Sequence, residues 1–199
     1  MYVVCSDLEG VFVPEVWINV AEKTGIPELR LTTRDVPDYD ILMKNRIRIL
    51  EEKGLKLKDI QDVIAQIRPL EGALDFIGWL KERTQFIVVS DTFIQFAEPL
   101  MKQLGRPTLF CHSLVVDEED RITGYTLRQK DPKRRTAEAL QGMNYRVIAM
   151  GDSYNDISML RQAEVGILFC PPQNVIDDNP DLPVTWNYEE VKAIVKNYL

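Results

Sequence analysis

The sequence has little of what secreted, membrane-spanning or disulfide-rich proteins are built from. Its 199 residues include only three cysteines and one histidine. Cys5, Cys111 and Cys170 are far apart and form no CxxC pair, so they indicate free thiols in a reducing compartment. No apolar run approaches the roughly 20 residues that span a bilayer. The opening residues, MYVVCSDLEG, lack a basic segment and a long apolar stretch, so we expect no secretion and a cytoplasmic location.

The sequence is also short of positive charge. Its 24 lysine and arginine residues face 31 aspartate and glutamate residues, which gives a formal net charge of −7. This balance argues against nonspecific binding to nucleic acid or to an anionic membrane, because both recruit a basic surface. The missing GxxxxGK[ST] and GxGxxG loops argue against an ATP- or NAD-dependent enzyme. We expect a folded protein without nucleic-acid or membrane partners. The sequence leaves open whether the protein forms a homodimer.

Short apolar runs alternate with helical stretches along the chain. The runs YVVCS at Tyr2–Ser6 and FIVVS at Phe86–Ser90 are almost continuously apolar, as strands buried on both faces are. Strands separated by helices indicate a parallel sheet, so we predict an α/β fold with a Rossmann-like sheet between two helical layers. A β-hairpin insertion is predicted over Leu114–Leu127, around the acidic turn DEED. The other predicted strands are Thr108–Cys111, Val147–Met150, Gly166–Phe169 and the weaker Pro183–Thr185.

One long stretch breaks this alternation. Between Pro14 and Pro69 there is no good strand, and apolar residues recur at helical spacing instead. We therefore predict a core domain of residues 1–13 and 70–199, with a small helical cap of residues 14–69 inserted after the first strand. The helices predicted in and directly after this cap are Val16–Lys23, Asp38–Glu52, Lys58–Arg68 and Gly72–Glu82.

Polar side chains follow three of the predicted strands, at the point where each strand ends. Because ligands of open α/β sheets bind beyond the carboxyl ends of the strands, these side chains are candidates for one site. A basic cluster that contains Lys130 and Lys133 precedes the helix leading into Val147–Met150. The polar residues are Asp7 and Glu9 after the first strand, Ser90, Asp91 and Thr92 after the second, and Asp152, Asn155 and Asp156 after Val147–Met150.

Such a set suits phosphoryl transfer through an aspartyl-phosphate. A carboxylate such as Asp7 can act as a nucleophile towards phosphorus. Asp7 and Asp152 offer the hard oxygen ligands that Mg²⁺ prefers, and Asp156 can orient water at the metal. Ser90 can hold phosphate oxygens, and Lys133 can neutralise charge on the phosphoryl group.

Glu9 is a candidate general acid for the leaving oxygen and general base for the acceptor. A role as an exposed turn acid is the alternative for this residue. The predicted ligand set for Mg²⁺ is Asp7, Glu9, Asp152 and Asp156. Whether Lys133 or Lys130 is the catalytic lysine stays open.

Four short motifs, in this order, resemble those of the haloacid dehalogenase superfamily. They are DLEGV starting at Asp7, VVSDT around Ser90, a lysine before a helix at Lys133, and GDSYND around Asp152. The helical insertion after the first motif resembles the small cap of the phosphoserine phosphatase family. The resemblance covers nearly the whole chain, and it implies phosphoserine as the phosphoryl donor and Mg²⁺ as the cofactor.

The first motif departs from the family pattern. The family usually has Asp-x-Asp, whereas Asp7-Leu8-Glu9 has an extra methylene that moves the second carboxyl by roughly 1.2–1.5 Å, enough to change a rate about 10²-fold. The stretches DLEGVFVPE (Asp7–Glu15) and LRQKDPKR (Leu127–Arg134) are similar to a bacterial subgroup that also transfers the phosphoryl group from phosphoserine to homoserine. The resemblance therefore implies phosphoserine and homoserine as small-molecule partners, without ATP.

The resemblance also implies roles for single residues. Asp7 matches the nucleophile, Glu9 the acid and base, and Lys133 the lysine of the third motif. Glu15 and Arg46 match cap residues that bind the substrate's amino and carboxylate groups, which suits a carboxylate facing an ammonium and a guanidinium facing a carboxylate. The other residues expected to bind the substrate are Ser90, Asp91, Thr92 and Asn155.

Other functions stay open for this sequence. A receiver-type signalling domain also combines a parallel sheet, Mg²⁺ and a phosphoaspartate, but its phosphoacceptor follows the third strand. A catalytically silent binding module is another alternative, against which the four intact motifs count. A phosphatase of the same fold could act on a sugar phosphate, a nucleotide or a phosphocholine-like ester. His112, the single histidine, is expected to have a structural role.

Overall fold

The computed structural model describes residues 1–32, 35–36 and 38–199. Its strands are β1 Tyr2–Ser6, β2 Gln85–Phe93, β3 Thr108–Val116, β4 Ile122–Thr126, β5 Arg146–Gly151, β6 Val165–Phe169 and β7 Val184–Thr185. They form one seven-stranded sheet in the order β4-β3-β2-β1-β5-β6-β7. Neighbouring strands are parallel except β3 and β4, which are antiparallel at one edge. The carboxyl ends of β2, β1 and β5 therefore lie side by side.

The helices are α1 Val16–Thr24, α2 Tyr39–Glu52, α3 Leu57–Ile64, α4 Ala73–Lys81, α5 Ile94–Gln103, α6 Pro132–Gly142, α7 Ile157–Gln162, α8 Gln173–Asp178 and α9 Tyr188–Val195. Two single 3-10 turns, Pro27–Arg30 and Tyr154–Asp156, complete the described helical structure. Among the described residues, no helix combines the length and apolar character needed to cross a membrane.

Both faces of the sheet are buried. Along β1, Val4 belongs to an apolar cluster with Phe76 of α4, while Val3 and Cys5 belong to a second cluster with Leu140 of α6. Because successive side chains of a strand point to opposite faces, these two clusters cover the two sides of the sheet. The predicted α/β fold with a parallel central sheet is confirmed.

Strands β2 and β3 run further than the sequence predicted. In the structure Val89 pairs with Phe110 and Phe93 pairs with His112. Between these two pairs β2 advances by four residues and β3 by two. The extra residues of β2 bulge out of the ladder at the edge where ligands bind in such sheets. Beyond His112, β3 continues directly into its antiparallel pairing with β4. The predicted hairpin is therefore an extension of the sheet rather than a separate insertion.

The segment between β1 and α4 is helical, as predicted. Helix α3 ends at Ile64, four residues before the predicted end, and the turn Pro27–Arg30 was not predicted. Buried side chains of this segment, such as Leu29 and Ile60, belong to the same apolar cluster as Phe76 of α4. We keep residues 14–69 as a proposed cap that shares its packing with the core.

The β3–β4 hairpin contacts this helical segment. The hydroxyl of Tyr125 in β4 donates a hydrogen bond to Oδ1 of Asp40 in α2 (2.6 Å). At the hairpin tip, the carbonyl oxygen of Asp120 accepts from the backbone N of Leu57, the first residue of α3 (2.9 Å). The edge of the sheet thus helps to hold the segment over the carboxyl ends of the strands.

Candidate active site

Three carboxylates meet where β1 and β5 end. The backbone N of Asp7, directly after β1, donates to the carbonyl oxygen of Met150 in β5 (3.0 Å), which holds the two strand ends together. Asp152 follows β5, and Asp156 closes the next turn. One carboxylate oxygen from each of Asp7, Asp152 and Asp156 lies within 4.8 Å of the others, and all three side chains are buried.

Two glycines leave room for this acidic cluster. A β-carbon on Gly10 would lie 2.5 Å from Cγ of Asp152, and one on Gly151 would lie 2.3 Å from Cγ of Asp156. Gly10 also has a φ of +74°, a conformation that glycine adopts without strain. A side chain at either position would push a carboxylate out of place, so both glycines are needed for the geometry.

The carboxylate of Asp156 is fixed at both oxygens. Its Oδ2 accepts hydrogen bonds from the backbone N of Asp152 (3.0 Å) and of Ser153 (3.1 Å). Its Oδ1 accepts one from Nζ of Lys133 (2.7 Å). Asp156 therefore holds the turn after β5 and the lysine in one arrangement.

Lys133 lies in the first turn of α6 and is only 2% exposed. Besides its bond to Asp156, its Nζ lies 2.9 Å from Oδ2 of Asp7. Burial alone would lower the pKa of Lys133, but the charges of Asp156 and Asp7 outweigh it and raise the pKa well above its ordinary value. Lys130, the other candidate lysine, is exposed. The structure thus brings Lys133 into the site and leaves Lys130 outside.

The acidic cluster fits a hard divalent cation. Closely spaced carboxylate oxygens are the ligands that Mg²⁺ takes from proteins. Burial, together with repulsion from Asp156 and Asp152, outweighs the attraction of Lys133 and raises the pKa of Asp7 well above its ordinary value. A divalent cation among the three acids would relieve that repulsion. Glu9 lies outside this group, so the structure brings together three of the four predicted ligands.

Glu9 contacts the helical segment instead. Its Oε2 accepts a hydrogen bond from the backbone N of Val16, the first residue of α1 (2.8 Å). Burial raises the pKa of Glu9 to about 8, and repulsion from Glu15 is the second cause of this rise. Glu9 and Asp7 line the same pocket. A carboxyl group with this pKa can donate a proton near neutral pH and accept one later.

The bulged end of β2 contributes a second wall of the pocket. The Oγ of Ser90 accepts a hydrogen bond from the backbone N of Thr92 (3.2 Å), and both side chains are buried. The Oδ2 of Asp91 accepts from Nδ2 of Asn155 (3.0 Å). These four predicted residues line the same pocket as Asp7.

Arg46 brings a buried positive charge to the helical side of the pocket. Its guanidinium lies over the ring of Trp17, with Cζ 4.4 Å from the ring centroid, and Nη2 donates to the carbonyl oxygen of Leu31 (2.7 Å). Its buried Nε has no hydrogen-bond partner among the residues that the structure describes. Burial lowers the pKa of Arg46 to about 10, so the side chain stays charged. Glu15 lines the same pocket.

Tyr39 also lines this pocket and was not predicted. Its hydroxyl donates to the backbone carbonyl oxygen of Asp91 (3.2 Å), which links the start of α2 to the end of β2. Tyr39, Leu42 and Arg46 are spaced so that they share one face of α2, and all three reach the pocket. That spacing in the predicted helix Asp38–Glu52 was the available signal for Tyr39.

Comparison with known proteins now identifies the family. A sequence model described as haloacid dehalogenase-like hydrolase matches residues 13–164. The chain belongs to this family. This hydrolase is 59% identical over 192 residues to Phosphoserine phosphatase ThrH of Pseudomonas aeruginosa, covering 96% of the chain and 94% of that relative. It is 58% identical over 190 residues to a phosphoserine phosphatase of Pseudomonas syringae pv. tomato, covering 96% of the chain and 80% of that relative.

Solved structures support the same fold for the hydrolase. A phospho-aspartyl intermediate analogue of phosphoserine phosphatase superposes with a TM-score of 0.77 at 22% identity, over 97% of this chain and 98% of the other. A substrate-bound phosphoserine phosphatase complex gives 0.76 at 20% identity, over 97% of each chain. At these identities the likeness concerns the fold. The family resemblance inferred from the four motifs is confirmed.

Proposed function

We propose that this hydrolase is a Mg²⁺-dependent phosphoserine phosphatase that acts through an aspartyl-phosphate on Asp7. The observation that carries this proposal is the buried contact of Asp7 with Lys133, at 2.9 Å, inside a cluster of three acids. The names of the two relatives at 58–59% identity support phosphoserine as the substrate.

In the first half-reaction, a carboxylate oxygen of Asp7 attacks the phosphorus atom of phosphoserine. The bond between phosphorus and the serine oxygen breaks, and protonated Glu9 gives its proton to that oxygen. Serine then leaves, and the phosphoryl group stays on Asp7. The pKa of about 8 keeps a large share of Glu9 protonated for this step at neutral pH.

In the second half-reaction, water attacks the phosphorus atom of the phosphoaspartate. Glu9, now ionised, takes a proton from the water, and the bond between phosphorus and the Asp7 oxygen breaks. Inorganic phosphate leaves, and both carboxyl groups return to their starting states. One residue thus acts as acid and then as base.

Positive charge and hydrogen-bond donors around Asp7 suit the phosphoryl group. Asp7, Asp152 and Asp156 would hold Mg²⁺, which supplies positive charge against the phosphoryl oxygens when bound. Lys133, whose Nζ lies 2.9 Å from Oδ2 of Asp7, adds a second positive charge. We assign the phosphate oxygens to Ser90, Thr92 and Asn155, which line the pocket beside Asp7.

The helical side of the pocket suits an amino acid. We assign the substrate carboxylate to Arg46, whose buried Nε lacks a partner among the described residues. We assign the substrate ammonium to Glu15, which lines the pocket with Arg46. An ion pair at each end of the amino acid would distinguish phosphoserine from esters that lack these charges.

The phosphoenzyme is also proposed to transfer its phosphoryl group to homoserine. Homoserine is serine with one more methylene, and a pocket discriminates a methylene by only about 1–3 kcal/mol. After serine leaves, homoserine can place its ammonium and carboxylate on Glu15 and Arg46, and its hydroxyl then takes the position of the attacking water. Glu9 would remove the hydroxyl proton as it does from water, while the homoserine oxygen bonds to phosphorus and the bond between phosphorus and the Asp7 oxygen breaks.

A panel of phosphate esters tests the substrate assignment. We expect phosphoserine to be hydrolysed with a higher kcat/KM than a sugar phosphate, a nucleotide or phosphocholine, with activity lost in excess EDTA, restored by Mg²⁺ and independent of ATP. A preference for another ester would replace phosphoserine as substrate. Adding homoserine and searching for O-phosphohomoserine by mass spectrometry tests the transfer. Inorganic phosphate alone, across a wide homoserine range, would leave hydrolysis as the only reaction.

The expected cytoplasmic location and the homodimer stay predictions. Cell fractionation tests the first, and light scattering of the purified protein tests the second.

A further inference from the structure

His112 is the only histidine of the chain, and it lies beside the pocket rather than in its lining. Its side chain is buried, 3% exposed, in β3. Its Nδ1 accepts a hydrogen bond from the backbone N of Arg128 (3.1 Å). A ring nitrogen that accepts carries no hydrogen, so the ring proton is on Nε2. This Nε2 lies 3.5 Å from Oδ1 of Asp91.

The carboxylate of Asp91 is surrounded by donors. Its Oδ2 accepts from Nδ2 of Asn155 (3.0 Å) and lies 3.7 Å from Nζ of Lys133, while Oδ1 faces His112. Burial raises the pKa of Asp91, but the charge of Lys133 and the bonds from His112 and Asn155 outweigh burial and hold it well below its ordinary value. An ionised carboxylate only accepts hydrogen bonds, so it cannot donate one to a phosphate. The sequence placed Asp91 among the substrate-binding residues, and the contacts of its carboxylate favour a role in holding its neighbours.

Asn155 shows what that role is. Its Oδ1 accepts from Oγ of Ser153, and one hydrogen of its Nδ2 is given to Asp91. Both ends of the amide are thereby fixed, and the flip that would exchange oxygen and nitrogen is blocked. The second Nδ2 hydrogen is left for a ligand in the pocket that Asn155 lines.

The strand register brings His112 to Asp91. The bulge of β2 between Val89 and Phe93 moves Asp91 out of the regular ladder, and Phe93 then pairs with His112. A bulged residue lacks its ladder partner, so a side-chain contact can fix its direction. His112 supplies that contact from the neighbouring strand, and Arg128 holds the ring.

Building on the proposed phosphatase function, we propose that His112 and Asp91 form a positioning pair that holds Asn155 and Lys133 in place for the phosphoryl group. His112 touches neither substrate nor metal, and acts only through Asp91. Its loss should lower kcat more than it raises KM, because Asn155 and Lys133 contribute most when charge moves between the phosphoryl group, Asp7 and the leaving oxygen.

Two substitutions separate this role from simple packing. In His112→Gln the side-chain amide nitrogen can replace Nε2 as the donor to Asp91. In His112→Asn the shorter side chain cannot reach Asp91 and can only accept the hydrogen bond from the backbone N of Arg128. We expect His112→Asn to lower kcat for phosphoserine about tenfold, the effect of one hydrogen bond to a charged group, with KM changed less than about threefold. We expect His112→Gln to stay within about threefold of the wild type. Cys111→Ala, the adjacent residue of β3, is the control for disturbing the strand.

A double-mutant cycle tests the pair itself. Asp91→Asn should lower kcat to a similar extent, and adding His112→Asn to it should cost little more, because the second residue acts through the first. Equal kcat for His112→Asn and His112→Gln, or losses that multiply in the double variant, would overturn the proposal. Thermal unfolding verifies that each variant is folded, and if His112→Asn is not, the imidazole signal of the wild type compared with that of Asp91→Asn decides instead.

The single histidine gives a readout that does not depend on activity. Long-range proton–nitrogen NMR of the full chain should show one neutral imidazole protonated at Nε2, with that signal shifted in Asp91→Asn. Protonation at Nδ1, or an unchanged signal in Asp91→Asn, would contradict the contact between the two side chains. A wild type that hydrolyses no phosphate ester would refute the proposed function, and the NMR result would still decide whether the pair exists.

Discussion

Glu9 accepts a hydrogen bond from the backbone N of Val16 at 2.8 Å, and this bond joins the loop after β1 to the first turn of α1. An aspartate at position 9 would be one methylene shorter and would fall short of this N–H from the same backbone position. The extra methylene of Glu9 therefore lets its carboxylate bind the backbone N–H of Val16 in α1. The carboxyl group proposed to move protons is also the one that holds the start of the helical segment.

Glu9→Gln tests the proton-transfer role through the pH profile. The pKa of about 8 applies to the free enzyme, so kcat/KM for phosphoserine should fall above pH 8 as Glu9 loses the proton that the leaving oxygen needs. In Glu9→Gln we expect kcat/KM to fall about 10²–10⁴-fold and this alkaline limb to disappear. An alkaline limb of the same pKa in the variant would assign it to another group. The loss should be smaller with p-nitrophenyl phosphate, because its leaving group needs no proton.

Lys133→Met tests whether the buried lysine offsets the acidic cluster. Removing one member of a buried ion pair costs about 3–5 kcal/mol of unfolding free energy, and we expect a loss of that order without Mg²⁺. Mg²⁺ should recover part of the loss, because it neutralises the same carboxylates. Urea unfolding with EDTA and with Mg²⁺ measures both effects. Lys130→Met, an exposed lysine three residues earlier, is the matched control, and an equal loss there would remove the special role of Lys133.

Arg46→Ala tests recognition of the amino acid. We expect kcat/KM for phosphoserine to fall about 10- to 100-fold, the value of a hydrogen-bonded charge pair, and that for p-nitrophenyl phosphate to change less than about threefold. Arg48→Ala removes an exposed arginine from the same helix, where it pairs with Glu52, and should leave both substrates unchanged. Equal losses on the two substrates in Arg46→Ala would assign Arg46 to packing against Trp17.

Local sequence patterns predicted the parts of the fold that depend on local physics. Strand β1 was predicted over Tyr2–Ser6 as observed, because a short apolar run followed by a polar turn allows few alternatives. The ends of β2 and β3 were placed too early, because the bulge that lets Phe93 pair with His112 depends on the neighbouring strand. Strand pairing of that kind leaves no local signal.

The residues of the candidate site could be predicted from the sequence, but the contacts between them could not. The polar residues at strand ends could be identified because parallel strands deliver them to one edge. The contact of Asp91 with His112 and that of Asp91 with Tyr39 join residues from different elements, so no motif contains them. The direction of the Glu9 side chain towards α1 likewise depends on where the helical segment packs, so the sequence alone did not separate Glu9 from the three clustered acids.

The most direct test of the aspartyl-phosphate mechanism is the mass of the intact protein, quenched in acid within the first turnovers on phosphoserine and Mg²⁺. We expect wild-type protein with one added phosphoryl group, located on Asp7 by peptide mapping. Asp7→Asn should show no adduct and a rate more than about 10³-fold lower, because an amide is a poor nucleophile and a poor metal ligand. A phosphoryl group on another residue, or near wild-type turnover by freshly purified Asp7→Asn, would contradict the aspartyl-phosphate mechanism.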